Sequence, residues 1–184
     1  TYAVKVNDVS SPLYLLLRTE EIGTEVFTCP SSNAQKFVPA SGTTTLYWSN
    51  FSNGVAGAPD IIQNLSYSYA NPYPSTTAIS AGYKMNSSLS PEFAVAADMN
   101  PGSDTTGAGT GALPNGPGLT TGSSGAEMRG GFSANHGRDG QNVLYGDGHV
   151  EWTSNPFVGT QRDNIYTARS AADGVSPANV DGPG

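Results

Sequence analysis

The stretch NHGRDGQNVLYGDGHVEW, residues 135–152, constrains the fold more than any other part of this chain. Two short runs rich in strand formers, residues 142–145 and 149–152, flank the triplet Gly146-Asp147-Gly148. Glycine reaches positive φ without steric cost, so two such runs joined by such a triplet predict a β-hairpin. The same stretch holds both histidines, His136 and His149, and two Asp-Gly pairs, Asp139-Gly140 and Asp147-Gly148. A hairpin carrying imidazoles and carboxylates can be a building element, a cation site or a catalytic site.

Elsewhere the pattern is that of a mixed fold. Residues 2–6 (YAVKV) alternate weakly and predict a strand or extended arm. Ser10 or Ser11 suits a helix N-cap, with Pro12 in the first turn. The helix so started is expected over residues 13–21, where Leu13, Leu16, Leu17 and Glu20 have helical spacing, and Gly23 ends it. Residues 26–29 (VFTC) predict a short strand stopped by Pro30, and residues 43–51 are β-prone. Residues 64–69 place Leu65, Tyr67 and Tyr69 on one face. The apolar run 93–98 predicts a buried central strand ending in the carboxylate of Asp98, and residues 161–167 predict a last strand or turn. The expected class is α+β: a short N-terminal helix packed on an antiparallel sheet with long Gly/Thr/Ser-rich loops. One domain over 1–184 accommodates all of it, with a low-complexity loop at 101–125 and an acidic tail at 170–184.

Charge narrows the partners. Only 12% of the 184 residues are charged and the net charge is -7, against roughly 25% charged residues in an average soluble protein. Little is available to neutralise phosphates, which argues against nucleic acid and against attachment to anionic lipid. No run approaches the roughly 20 apolar residues of a membrane span. An acidic surface poor in Lys and rich in Thr, Ser and Asn fits an extracellular protein. Cys29 is the single cysteine, which excludes an intrachain disulfide framework and favours a small buried hydrophobe, Lys36 being the one nearby cation in sequence.

Several constellations bear on chemistry. Asp98, His136, Asp139, Asp147 and His149 supply nitrogen and oxygen ligands for a cation, Ca²⁺ being the candidate. They follow no HxxxH, HExxH or EF-hand spacing. Asp147 and His149, two residues apart, can share a strand face and a cation. They can equally cap the turn by bonding backbone groups, as Asp does for local reasons. Gly131-Phe132-Ser133-Ala134-Asn135 approaches a nucleophile elbow but lacks its closing glycine. Glu20-Glu21 reads as a solvated helix end, and the glycines of 107–118 have no phosphate-binding spacing. Tyr47, Trp48, Tyr67, Tyr69, Tyr73, Tyr83, Tyr145 and Trp152 suit either sugar stacking or sheet packing. Asn50, Asn64 and Asn86 each open an N-glycosylation sequon.

Five blocks in order carry a resemblance: VFTCPSSN (26–33), NLSYSYANP (64–72), AVAADMNPG (94–102), residues 135–152, and RDNIYTAR (162–169). Together they resemble the prepilin-type H-X9-DG proteins, the pilin-like or type II secretion pseudopilin-like proteins of planctomycetes and related bacteria. His136 matches the family histidine, and Asp147-Gly148 its Asp-Gly pair. Ten residues separate His136 from Asp147 where the family name implies nine; the extra one fits the polar loop 137–140. Such proteins begin with a prepilin peptidase site and a long apolar helix, neither of which is in this sequence. The resemblance therefore implies a pilin-like globular headpiece, either trimmed of its helix or itself polymerising outside the cell through an arm such as residues 2–6.

The expected function is that of a non-enzymatic structural subunit of an extracellular filament or secretion pseudopilus. Its partners would be further copies of itself and other pilin-like or secretion-system subunits, at the cell surface or beyond it. The alternatives are an adhesin module that recognises a polymer or glycan, and a metal-dependent hydrolase centred on His136 and Asp147.

Overall fold

The computed structural model describes residues 8–51, 63–74, 76–80, 82–101 and 119–166. The arm at 2–6, the tail at 170–184 and residues 102–118 of the low-complexity loop lie outside the described residues. The chain divides into two compact units, residues 1–67 and 68–184.

The first unit is built on one helix and a cluster of rings. Helix α1 spans Ser11–Thr19, with Ser10 at its N-cap and Pro12 in its first turn. The Ser10 hydroxyl does not cap α1; it donates to Asp8 Oδ1 at 2.7 Å, and Ser10 N donates to the same oxygen at 3.0 Å. The buried face is carried by Tyr14 and Leu17, with Leu13 half-buried, while Leu16 is exposed. Leu16 and Glu20 thus fall outside the predicted stripe, because Tyr14 takes the central place. Its ring meets Phe37 at 5.4 Å and Phe51 at 5.1 Å, both edge to face, and its hydroxyl donates to Thr45 O at 3.0 Å. Phe27, Trp48 and Leu65 complete this core, in which each edge-to-face pair adds about 0.5–1.5 kcal/mol beyond burial. α1 ends four residues before Gly23, where Glu20 turns extended.

Two β-prone stretches of this unit are not strands. Residues Thr24–Phe27 form a 3₁₀ turn in which Phe27 is buried and Val26 exposed, and Thr45–Tyr47 form another. Local bonds explain the outcome: Thr28 Oγ1 donates to Glu25 O at 3.0 Å, and Thr43 Oγ1 both donates to Ala40 O at 2.6 Å and accepts from Trp48 Nε1 at 3.0 Å. Such Ser/Thr bonds compete with ladder formation, and aromatic residues that would favour a strand fill the core instead.

The second unit holds most of an antiparallel four-stranded sheet in the order β1-β2-β3-β4: Tyr67–Tyr69, Ala94–Asp98, Gln141–Tyr145 and Val150–Thr153. The unit boundary falls within β1. Strands β2 and β3 pair antiparallel through Ala97 and Val143, and β3 pairs with β4 as the predicted hairpin. Along β3 the side chains of Gln141, Val143 and Tyr145 are buried and those between them half-buried. Val143, Ala97, Tyr145 and Tyr166 form the core of this unit. β4 is an edge strand, with Val150 and Trp152 exposed. Two short helices, α2 (Thr76–Ser80) and α3 (Gly125–Met128), lie in the connections, and residues Thr160–Arg162 turn rather than extend. No helix among the described residues is long and apolar enough to cross a membrane.

Candidate functional site

The polar centre of the second unit is Asp98, the last residue of β2 and 1% exposed. Antiparallel register pairs Ala97 with Val143, which sets Asp98 against Asn142. Its Oδ2 accepts from Asn142 N at 2.7 Å and from Asn142 Nδ2 at 3.2 Å. His136 Nε2 lies 3.0 Å from the same oxygen, and Asn135 Nδ2 donates to Oδ1 at 3.1 Å. Three donors thus converge on Oδ2 and one on Oδ1. For His136 Nε2 to donate to the carboxylate it must carry a proton; Asn142 Nδ2 lies 3.4 Å from the same nitrogen. The Asp98 carbonyl accepts from Tyr166 OH at 2.9 Å, and Tyr166 O accepts from Asn100 Nδ2 at 3.1 Å. Burial, and next the negative charge of Asp98, push the Tyr166 phenol well above its usual range.

The loop that delivers Asn135 and His136 is held locally. Ser124 and Glu127 form a capping box at the start of α3, which holds Glu127 below its usual range through the Ser124 hydroxyl and amide. Ser133 Oγ accepts from Asn135 N at 3.3 Å, at the start of the turn Ala134–His136. Gly137 and Arg138 then take left-handed φ of 65° and 61°, Arg138 Nη1 donates to Gly130 O at 3.0 Å, and Arg129 pairs with Asp139. Together these reverse the chain so that the His136 ring sits edge-on to Trp152, 5.0 Å between centroids. Gly140 follows where no side chain fits: a Cβ there would lie 2.6 Å from Thr153 O and 2.8 Å from the Trp152 ring.

The hairpin turn forms a second, separate pair. Asp147 Oδ1 accepts from His149 N at 3.0 Å and meets His149 Nδ1 at 2.5 Å. The amide of His149 first, and its side chain next, hold the Asp147 carboxyl below its usual range. The His149 ring stacks on Tyr145 at 4.5 Å and 11°. Gly148 supplies φ of 90°, and Gly146 passes so close to the preceding loop that a Cβ would lie 2.5 Å from Ser90 O.

The candidate ligands are therefore sorted into two pairs, Asp98 with His136 and Asp147 with His149. Asp98 lies beside Asn142 at one end of β3 and the turn lies five residues on, roughly 16 Å at about 3.3 Å per residue. His136 and Asp147, the residues matched to the family motif with Gly148, do not meet. Each pair offers one carboxylate oxygen and one imidazole nitrogen, and in each the carboxylate already accepts backbone N–H groups. Asp139 is taken by Arg129, Ser133 is fully buried in a capping role, and Cys29 is buried. A shallow cavity of about 410 Å³ lies beside α3, with Met128, Arg129, Phe132 and Asp139 among its lining.

Asn135, Asn142 and Tyr166 are the partners that sequence reasoning did not assign. A signal existed for Asn142, a polar residue directly before the apolar run Val143-Leu144-Tyr145 of β3. Tyr166 carried none, because its contact spans 68 residues of sequence. Comparison with protein-family models, curated proteins and solved structures finds no match to this chain.

Proposed function

We propose that this chain is a pilin-like structural subunit of an extracellular filament or secretion pseudopilus, whose main partner is a second copy of itself. The observation that carries the proposal is the use made of residues 135–152. Asn135, His136 and Asn142 bind Asp98, and Asp147 bonds His149 inside the turn. A motif engaged in this way, buried around Asp98 and bonded to itself at the exposed turn, sets strand register and loop path, which is what a building block requires. The ordered likeness to H-X9-DG proteins supports the same reading. So does β4, an edge strand bearing exposed Val150 and Trp152, since an edge presents unpaired backbone groups to another chain. Sedimentation velocity over a hundredfold concentration range tests it: the subunit shifts to large species as concentration rises, and a constant monomer overturns the reading.

One observation favours a second reading, an adhesin module. Trp152 is 48% exposed beside His136, and a half-exposed indole is a good stacking face for a sugar ring. Binding on a glycan array that is lost in Trp152→Ala would favour it. The hydrolase reading draws no such support, because His136 and Asp147 are engaged at opposite ends of β3.

A further inference from the structure

We infer that Asn86 is an N-glycosylation acceptor of the folded protein, selected from three sequons by exposure and by local geometry. The sequons are Asn50-Phe51-Ser52, Asn64-Leu65-Ser66 and Asn86-Ser87-Ser88. The glycosidic bond forms at Nδ2 of the asparagine, so that atom must be reachable. In Asn50, 3% exposed, Nδ2 donates to Asp8 Oδ2 at 2.6 Å. In Asn64, 7% exposed, Nδ2 donates to Gln35 O at 3.0 Å. Modifying either would break a buried hydrogen bond and force a sugar into the first unit's interior.

Asn86 differs on both counts. It is exposed, and its Oδ1 accepts from Ser88 N at 3.0 Å and from Ser88 Oγ at 2.7 Å. The carbonyl is thus occupied by the sequon's own hydroxyl and amide, in an Asx turn tightened by Leu89 N donating to Asn86 O at 3.3 Å. Among the described residues nothing accepts from its Nδ2. The side chain is held by its oxygen, and the exposed residue leaves its nitrogen without an acceptor among the described residues, the arrangement a glycosylation site needs. The donor would be a sugar linked through phosphate to a polyprenyl lipid, used by an oligosaccharyltransferase. Nδ2 forms the bond to the anomeric carbon, the bond from that carbon to the phosphate oxygen breaks, the lipid phosphate leaves with the electron pair, and the amide proton passes to the transferase.

The place in the fold fixes what the glycan would cover. Its loop runs on to Ser90 and Phe93, where Gly146 N donates to Phe93 O at 2.9 Å. The sugar would therefore cover the end of the sheet that carries the Asp147-Gly148 turn, leaving the Asp98 end open.

The test uses the folded chain, a lipid-linked oligosaccharide and a single-subunit transferase that accepts a plain Asn-x-Ser sequon, with occupancy read by peptide mapping. Modification at Asn86 is expected to exceed that at Asn50 and Asn64 by about 10-fold or more, because those two react only through local opening. In urea-unfolded chain the three rates converge, and Asn86→Gln removes nearly all modification of the native protein. Equal rates at Asn50 or Asn64 in the native chain overturn the inference. So does an unmodified Asn86 in native chain when a peptide of residues 82–92 is modified.

Discussion

Replacing Asp98 by Ala removes the acceptor of four hydrogen bonds and leaves the donors in place. Asn135 is buried, Asn142 is half-buried, and the His136 side chain is 19% exposed, so water can reach some donors but not all. A buried donor left without a partner costs about 1–3 kcal/mol, and a hydrogen bond to a charged group is worth about 1.5–3 kcal/mol. The donors share one acceptor, so their losses do not add in full; the whole change is expected at about 3–5 kcal/mol, the size of roughly two such losses. Against a total of about 5–15 kcal/mol that is a large share, equivalent to a fall in Tm of roughly 6–20 °C for a chain this size. Asp98→Asn keeps one carbonyl for the donors around Oδ2 and sets an amide against Asn135, whose own amide can turn; about 1–3 kcal/mol is expected. Urea unfolding followed by Trp152 fluorescence in a Trp48→Phe background reports on the second unit alone. A double cycle of Asp98→Ala with His136→Ala should give a coupling of about 1.5–3 kcal/mol. Should Asp98→Ala fall within about 0.5 kcal/mol of the parent, the carboxylate is not the anchor described.

Gly146→Ala drives a Cβ to 2.5 Å from Ser90 O, a backbone atom that cannot swing aside, and should cost about 1–3 kcal/mol in the same urea assay. Gly148→Ala meets nothing within 4 Å but strains φ of 90°; about 1 kcal/mol is expected, eased by Asn, which tolerates this region better. High pH should unfold the protein through its tyrosines: burial first, then Asp98, raises Tyr166 well above 10.0, and burial raises Tyr14 to about 12. Their stabilisation is complete below the unfolded value of about 10 and is lost as pH rises through the folded values; Tyr166→Phe should flatten that loss in ellipticity, with phenolate absorbance at 295 nm as the second readout. For the hairpin turn, millimolar Ca²⁺ should leave the Tm unchanged in both the parent and Asp147→Asn, because Asp147 Oδ1 already accepts from His149; a Ca²⁺-induced rise abolished by Asp147→Asn would restore the cation reading.

What the sequence made legible was its strongest local pattern. The hairpin was readable because glycine and strand formers alternate at fixed spacing, and 93–98 because its apolar run ends in a single carboxylate. Tyr67–Tyr69 followed from period-two aromatics. The stretches 26–29 and 43–51 misled for one physical reason: aromatic and β-branched residues mark burial as much as extension, and Phe27, Trp48 and Phe51 are buried in a ring cluster without a ladder. At the site, Asp98 and His136 were both visible as ligand-type residues. Their contact across 38 positions was not, since pairing depends on β2–β3 register and on the reversal at Gly137 and Arg138. Sequence grouped Asp147 with His136, whereas the fold places them at opposite ends of one strand.

The central claim is that this domain builds an assembly from copies of itself. Negative-stain electron microscopy of the purified chain, taken from dilute to sub-millimolar concentration, tests it most directly. The account predicts filaments of uniform width whose number grows with concentration. Isolated particles of monomer size across the whole range would contradict it.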